Sequence, residues 1–193
     1  MELAERWIYQ MRLTTKRLIL RDPTIKDAKD IAEHINNLKI SRYLLTVPHP
    51  YTLGDAKWWI NHCDENIKKK PRTSYEFNIA LKPENRIIGG AGLHHIDLIQ
   101  GTSEIGYWLA EPYWRKGYMT EATSRLIDFA FKKLELERLQ GGIFASNKPS
   151  QGLAKSLGFK QEGKGKIITC MATGKRHREV PHVLYKHDWM KKR

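Results

Sequence analysis

Arg115, Lys116 and Gly117 stand where an alternating, strand-like stretch gives way to an amphipathic helix, and together they describe an anion site. The first amides of a helix have no acceptor within it and carry positive partial charge, which suits a phosphate. Two cationic side chains add full charge at the same point. The whole stretch, Glu104 to Thr120, reads EIGYWLAEPYWRKGYMT. Ile105, Tyr107 and Leu109 alternate with Glu104, Gly106 and Trp108 as a two-faced strand requires, and Pro112 ends the run. The residues predict a pyrophosphate cradle fed by a strand that carries the reacting end of the same ligand.

Other chemistries are absent from the sequence. No GxGxxG lies between a strand and a helix, and Gly174-Lys175 lacks the rest of a Walker pattern. Neither HExxH nor GxSxG occurs. The adjacent pair His94-His95 would point to opposite faces of a strand, so no metal site is expected. Cys63 and Cys170 form no CxxC and read as buried, inert thiols of a reducing compartment.

The elements that must position the cradle follow from periodicity and punctuation. Arg12–Arg21 reads as a first strand, and Thr24 caps a helix through Ile35, with a short helical piece over Leu38–Leu44. TVPHPYT is a loop, and Thr52 with Asp55 opens a helix that ends in three lysines before Pro71. Strands follow over Tyr75–Leu81, Arg86–His94 and Glu104–Leu109; the glycines of the second suggest a bulge or a close backbone approach. Met119, Ala122, Leu126, Ile127, Ala130, Phe131 and Leu134 make a helical stripe. Arg138–Ala145 is a strand, Pro149 starts a helix that closes at Gly158, and strands are expected over Lys160–Cys170 and Val180–Lys186. The fold class is mixed α/β, a mostly antiparallel central sheet flanked by helices.

With 193 residues and 40% hydrophobic content, the chain fits one domain spanning residues 1–193, with residues 1–10 as an N-terminal extension. The net charge is +13, and Lys160–Arg193 alone hold ten Lys and Arg against three acidic residues. Such an end suits a ribosome, nucleic acid or an acidic protein, or else a solvated surface. No secretory signal and no membrane span are visible, so a cytoplasmic protein is expected.

The cradle and the stretch NKPSQGLAKSLGF (Asn147 to Phe159) together resemble the GNAT-superfamily N-acetyltransferases of the ribosomal-protein N-terminal (RimJ/RimL-type) branch. RLILRDPTIKDA and HPYTLGDAKWWI extend the resemblance over nearly the whole chain. Of the family's Gln/Arg-x-x-Gly-x-Gly/Ala signature, Gly117 matches, while Trp114 and Met119 differ. The resemblance implies acetyl-CoA as co-substrate, no metal, and a cofactor site made of Trp108, Leu109, Ala110, Trp114, Arg115, Lys116, Gly117, Tyr118, Met119, Thr120 and Asn147. Trp108, Leu109 and Ala110 would offer backbone groups to the pantetheine like an added strand.

It also implies direct attack by a primary amine, with Glu104 as base through water and Ser150 as acid. The tyrosine that many members carry seven residues after the Asn is here Ala154, and the glutamate of RimL-like members falls near Ile168-Thr169. His49, Tyr51 and Trp58 would help to wall the acceptor cleft, while Trp59 lies on the apolar helical stripe and is expected in the core. Lys164, Lys166, Lys175, Arg176 and Arg178 would hold an acidic acceptor. The first-choice acceptor is a protein N-terminal α-amine, with ribosome association and a homodimer as open partners. A polyamine or antibiotic amine is the second choice. A basic ribosome- or RNA-binding module of the same fold without catalysis is the rival from another class.

Overall fold

The apolar stripe after the cradle becomes helix α4 (Tyr118–Lys132 in the numbering used below), and it is the pillar of one face of the molecule. Leu126, Ile127 and Ala130 are fully buried there against Phe77, Ile79 and Leu93 from the sheet. Leu126 and Ile127 each contribute about 1.5–3 kcal/mol by leaving water. The computed structural model describes residues 11–192; the extension expected over residues 1–10 lies outside the described residues.

In chain order the elements are β1 (Arg12–Thr14), β2 (Leu18–Arg21), α1 (Ala28–Ile35), α2 (Leu38–Ser41) and α3 (Leu53–Lys68). Next come β3 (Tyr75–Leu81), β4 (Arg86–Asp97), β5 (Thr102–Leu109), α4, β6 (Arg138–Phe144) and α5 (Lys148–Leu157). The chain closes with β7 (Lys160–Gln161), β8 (Lys166–Thr169), β9 (Arg176–Tyr185) and α6 (Lys186–Lys191). Among the described residues the strands form one nine-stranded sheet in the order β1-β2-β3-β4-β5-β6-β9-β7, with β8 also on β9. Every neighbour pair is antiparallel except β5–β6. The fold class is therefore the mixed α/β sheet read from the sequence.

The helices divide between the two faces. Residues of α4 and α5 share one apolar cluster with Ile105, Leu139 and Ile143, and Trp189 of α6 joins it. On the other face Ala28, Ile31 and Ile35 of α1 pack with Ala56 and Ile60 of α3 over Ala80 and Ile87. The Thr52–Asp55 capping box forms as expected, with Thr52 N donating to Asp55 Oδ2 at 2.7 Å.

Three expectations change. Arg12–Arg21 is a hairpin, not one strand, because the Thr15 hydroxyl accepts the Leu18 amide at 2.9 Å and turns the chain between β1 and β2. The expected strand over Lys160–Cys170 is two short strands, β7 and β8, both on β9. Gly163 and Gly165 take positive φ between them, and a side chain at Gly165 would strike the Glu179 carbonyl. The strand expected over Val180–Lys186 starts earlier, at Arg176, and stops at Tyr185, where a helix follows with Trp189 buried and its indole donating to Asp128 at 3.0 Å.

The helix expected from Ile25 begins with a 3-10 turn over Ile25–Asp27. Asp27 is the reason: its carboxylate takes both terminal nitrogens of Arg21 (2.8 and 2.7 Å), the Thr24 amide (2.7 Å) and Asn78 Nδ2 (3.0 Å). That hub fastens β2 and β3 to the start of α1.

Candidate functional site

β5 and β6 pair at only three positions, Thr102↔Arg138, Ser103↔Leu139 and Glu104↔Gln140. Beyond Glu104 the two strands part, and β5 keeps its ladder with β4 alone. The β6-facing edge of β5 is left open to an extended ligand. A cavity of about 890 Å³ passes through this gap, lined by Gly106, Tyr107, Trp108 and Leu109 on one strand and Gly142 and Ile143 on the other.

The start of α4 opens into the same cavity. Arg115 and Gly117 hold positive φ (59° and 77°), which curls the loop before the helix. Gly117 is the N-cap and supplies no side chain, so the amides of Tyr118, Met119 and Thr120 stay available to an anion. Trp114, Arg115, Gly117, Tyr118, Met119 and Thr120 all line the cavity. Lys116 does not; its ammonium lies over the Tyr113 ring, 5.8 Å from the centroid. Trp114 serves the shape of the loop, its indole donating to the Leu109 carbonyl at 2.7 Å. Ala110 is fully buried and gives its amide to Ile88 O at 2.8 Å, so it braces the strand end behind the cavity.

Arg17, which local pattern did not single out, holds the cradle in place from the β1–β2 turn. Its guanidinium donates to the Lys116 carbonyl (2.9 Å) and to Glu121 (2.7 Å) and lies over the Tyr118 ring at 4.3 Å. Burial works against the charge on Glu121, but hydrogen bonds from Thr15 and Arg17 outweigh it and hold the carboxyl below its usual range.

Asn147 and Ser150 come together at the start of α5, the Asn147 side chain accepting the Ser150 amide at 3.3 Å. Both line the cavity. A partner that sequence reasoning missed stands beside them: the Tyr107 phenol lies 2.9 Å from Ser150 Oγ. Burial pushes the Tyr107 pKa up, although Ser150 pulls the other way, so the phenol keeps its proton. The alternation in EIGYWL puts Tyr107 on the face away from Trp108; only the tertiary fold brings α5 to that face.

On the opposite face the strands near the gap carry glycines, and the side chains over them come from neighbouring positions. Glu76, Gly92 and Gly106 sit at paired positions on β3, β4 and β5, and Gly142 lies on the same side of β6. The space a Cβ would take on Gly92 holds the Glu76 carboxylate, and that on Gly142 holds the Glu179 carboxylate. Above Gly106 stands the His94 imidazole, with Nε2 3.1 Å from where a Cβ would be. The glycines thus leave a lane that leads to the gap between acidic side chains.

Glu104 lies at the exposed end of this lane. Its side chain is half exposed, stands 3.3 Å from His95 Nδ1, and does not line the cavity.

The far wall departs from expectation. It is built by α2 and the residues after it, including Lys39, Arg42, Tyr43 and Leu44. The proline loop instead turns Tyr51 into the second core, and Trp58 stacks on His62 at the surface. Neither of these, nor His49 or Trp59, lines the cavity. The wall is clamped by the C-terminal hairpin: the buried Cys170 thiol lies 3.5 Å from the Arg42 carbonyl, and the Met171 amide donates to Leu45 O at 3.1 Å. Cys63 is buried as well, which pushes its thiol pKa up. In that hairpin Lys166 pairs with Glu179 at 3.3 Å, so part of its basic charge is balanced at the cavity side.

Among the described residues no group of three or more His, Cys, Asp or Glu could hold a metal ion, and no helix is long and apolar enough to cross a membrane.

Comparison with known proteins agrees with this geometry. A family model described as an acetyltransferase (GNAT) domain matches residues 17–160. An N-acetyltransferase of Bacillus licheniformis, p20, is 32% identical over 151 residues, covering 78% of this chain and 83% of its own. The [ribosomal protein uS5]-alanine N-acetyltransferase of Escherichia coli (strain K12) is 26% identical over 187 residues, 93% of each chain. A solved structure described as a probable acetyltransferase superposes with a TM-score of 0.79 at 25% identity, over 93% of this chain and 99% of that one.

Proposed function

This chain belongs to the GNAT acetyltransferase family and is an acetyl-CoA-dependent acetyltransferase, and from that premise we propose that it acetylates a primary amine, first of all the α-amine of a protein N-terminus, by direct attack. The observation that carries the reading is the gap between β5 and β6, which joins the uncapped start of α4 on one face to the glycine lane on the other.

The residues fit acetyl-CoA. The amides of Tyr118, Met119 and Thr120, with Arg115 beside them, suit its pyrophosphate. The open edge of β5 past Glu104 suits the pantetheine arm, and Asn147 stands beside its path. The bound thioester supplies the acyl group.

The protein's own task is to bring an amine to it and to manage two protons. Gly106 leaves room for the amine, and Gly142 lets the Glu179 carboxylate lie beside its path. Ser150, fixed by Asn147 and Tyr107, gives a proton to the departing thiolate. Glu104 can draw a proton out through water only from the exposed end of the lane.

An α-amine titrates near ~7.7–8 and a lysine near ~10.4, so an N-terminus needs far less help to become a nucleophile. The uS5-alanine relative supports that acceptor, and the basic hairpin would meet a ribosomal surface. The carboxylates of Glu76 and Glu179 over the lane favour a second reading, a small polyamine.

The test is to incubate the protein with acetyl-CoA and a panel of N-terminal peptides and polyamines and to follow free-thiol release. Release with an N-terminal peptide is the expected result. Release with polyamines alone would select the second reading. No release with any amine, together with salt-sensitive RNA binding, would reject acetyl transfer. Ser150→Ala should lower kcat roughly tenfold with acetyl-CoA affinity within about twofold, because the Tyr107 phenol remains beside the vacated position. An unchanged kcat would remove Ser150 from the mechanism.

A further inference from the structure

We propose that His94, oriented by Glu76, is the group that takes the proton from the acceptor amine, by way of one water standing over Gly106. This rests on the acetyl-transfer reading above and names the proton acceptor of that same site.

The geometry is that of a base and its orienting carboxylate. His94 Nδ1 lies 2.6 Å from Glu76 Oε1 across the β3–β4 ladder. An Nδ1–H held by a carboxylate leaves Nε2 as the lone-pair nitrogen of the neutral ring. Nε2 is turned along the sheet to stand above Gly106, a residue that lines the cavity, while the ring itself, like Glu104, lies outside the lining and reaches the site only through a water. A Cβ there would crowd Nε2 at 3.1 Å, so the glycine keeps the space beside the ring free. Glu76 is mostly buried (15% exposed) and fixed, whereas His94 is 38% exposed and open to exchange protons with solvent. Glu104, by contrast, sits directly across the strand pair from His94 and has its own partner in His95.

The charges around the ring agree with this role. Glu76 of β3 and Glu104 of β5 face it, His95 of β4 pairs with that Glu104, and the Cys63 thiol of α3 feels the same Glu76. Burial disfavours the imidazolium, but the hydrogen bond and charge of Glu76, with the charge of Glu104, outweigh it and hold the pKa above the ordinary imidazole value. A raised value brings His94 closer to the ~7.7–8 of an α-ammonium, which eases the transfer between them.

The step balances as follows. The ammonium gives one proton through the water to His94 Nε2, and the neutral amine attacks the thioester carbonyl carbon. The N–C bond forms, the C–S bond breaks, and a second proton from the nitrogen ends on the thiolate, delivered by Ser150. The proton on His94 returns to solvent at the exposed end of the lane. The sum is ammonium plus acetyl thioester giving amide, free thiol and one proton.

Two measurements test it. The first is kcat/KM against pH with two amines of different pKa. A rising limb at the same pH for both amines is expected from His94. Glu76→Gln should move that limb to lower pH, because the lifted pKa falls back. His94→Gln should remove it and lower the rate at pH 7 at least tenfold, with acetyl-CoA affinity within about twofold. Glu104→Gln, which removes the smaller part of the charge facing the ring, should move the limb the same way by less than Glu76→Gln does. An unchanged limb in His94→Gln would overturn the proposal.

The second is NMR titration of the imidazoles, with His94 assigned from the spectrum of His94→Gln. The expected result is a neutral ring protonated on Nδ1, titrating above the usual value in the wild type and lower in Glu76→Gln. A ring protonated on Nε2, or one whose titration ignores Glu76→Gln, would overturn it. Should the wild type acetylate no amine, the acetyl-transfer reading fails by itself, and the imidazole titration still decides the dyad.

Discussion

Gly106→Val is expected to lower turnover by about 100-fold while leaving acetyl-CoA affinity within about threefold. A Cβ at this position comes within 3.1 Å of His94 Nε2, and two further methyl groups would fill the lane where the amine must arrive. Displacing a reacting group by about 1 Å is enough for a loss of that order. The fold should accept the change, because Gly106 lies within the β4–β5 ladder and a β-branched residue favours extended backbone. The cradle lies at the start of α4, where nothing is altered. Steady-state kinetics with a saturating amine, calorimetry with acetyl-CoA and a melting curve would separate these effects. Turnover within about threefold of wild type would mean that the amine does not come by this lane.

The largest effect on stability is expected from Asp27→Ala, about 3 kcal/mol, or roughly 6–12 °C in Tm. The Asp27 side chain is only 6% exposed and meets the hydrogen-bonding groups of Arg21, Thr24 and Asn78 at once. Its removal strands a guanidinium that is itself mostly buried and an Asn78 with no exposure at all. Burial raises the Asp27 pKa, but the bonds from Arg21, Thr24 and Asn78 outweigh it and bring it below the usual carboxylate value. Such a group stabilises the fold fully above its unfolded pKa of about 3.9 and loses that contribution as pH falls through the lower folded value. The gap between wild type and variant in urea midpoint should therefore be constant above about pH 5 and narrow as pH falls below about 4. A gap that did not narrow on acidification would mean that Asp27 acts through packing and not through charge.

The sequence made legible what depends on neighbours in the chain. Tyr75–Leu81 alternates and is bounded by turn residues, and its limits are those of β3. The Thr52–Asp55 box and the Gly158 stop are likewise local. What depends on distant partners was not legible. The break between β1 and β2 is held by Glu121, which lies on another element and accepts from both Thr15 and Arg17. Tyr107 and Ser150 are 43 positions apart, so no spacing rule joins them. Glu179 comes to the lane because β9 lies beside β6 in antiparallel register, Phe144 opposite Glu179, an outcome of topology alone. The wall of the cavity was misplaced for the same reason: the aromatic residues near the proline loop are conspicuous in sequence, but the second core claims Tyr51, Trp58 stacks on His62, and only Trp59, on its helical stripe, lies where its spacing put it.

The three-residue seam between β5 and β6 has a consequence for the lifetime of the protein. A sheet that parts halfway along two of its central strands is an unfinished sheet, and a ligand lying along the open edge completes it. The same molecule is then both the reagent and a structural strut renewed at every turnover. A ligand held only by the folded state stabilises it by about 2.7 kcal/mol at a hundred times its Kd. Resistance to proteolysis and to heat should accordingly follow the supply of acetyl-CoA, so that a starved protein is not merely idle but short-lived.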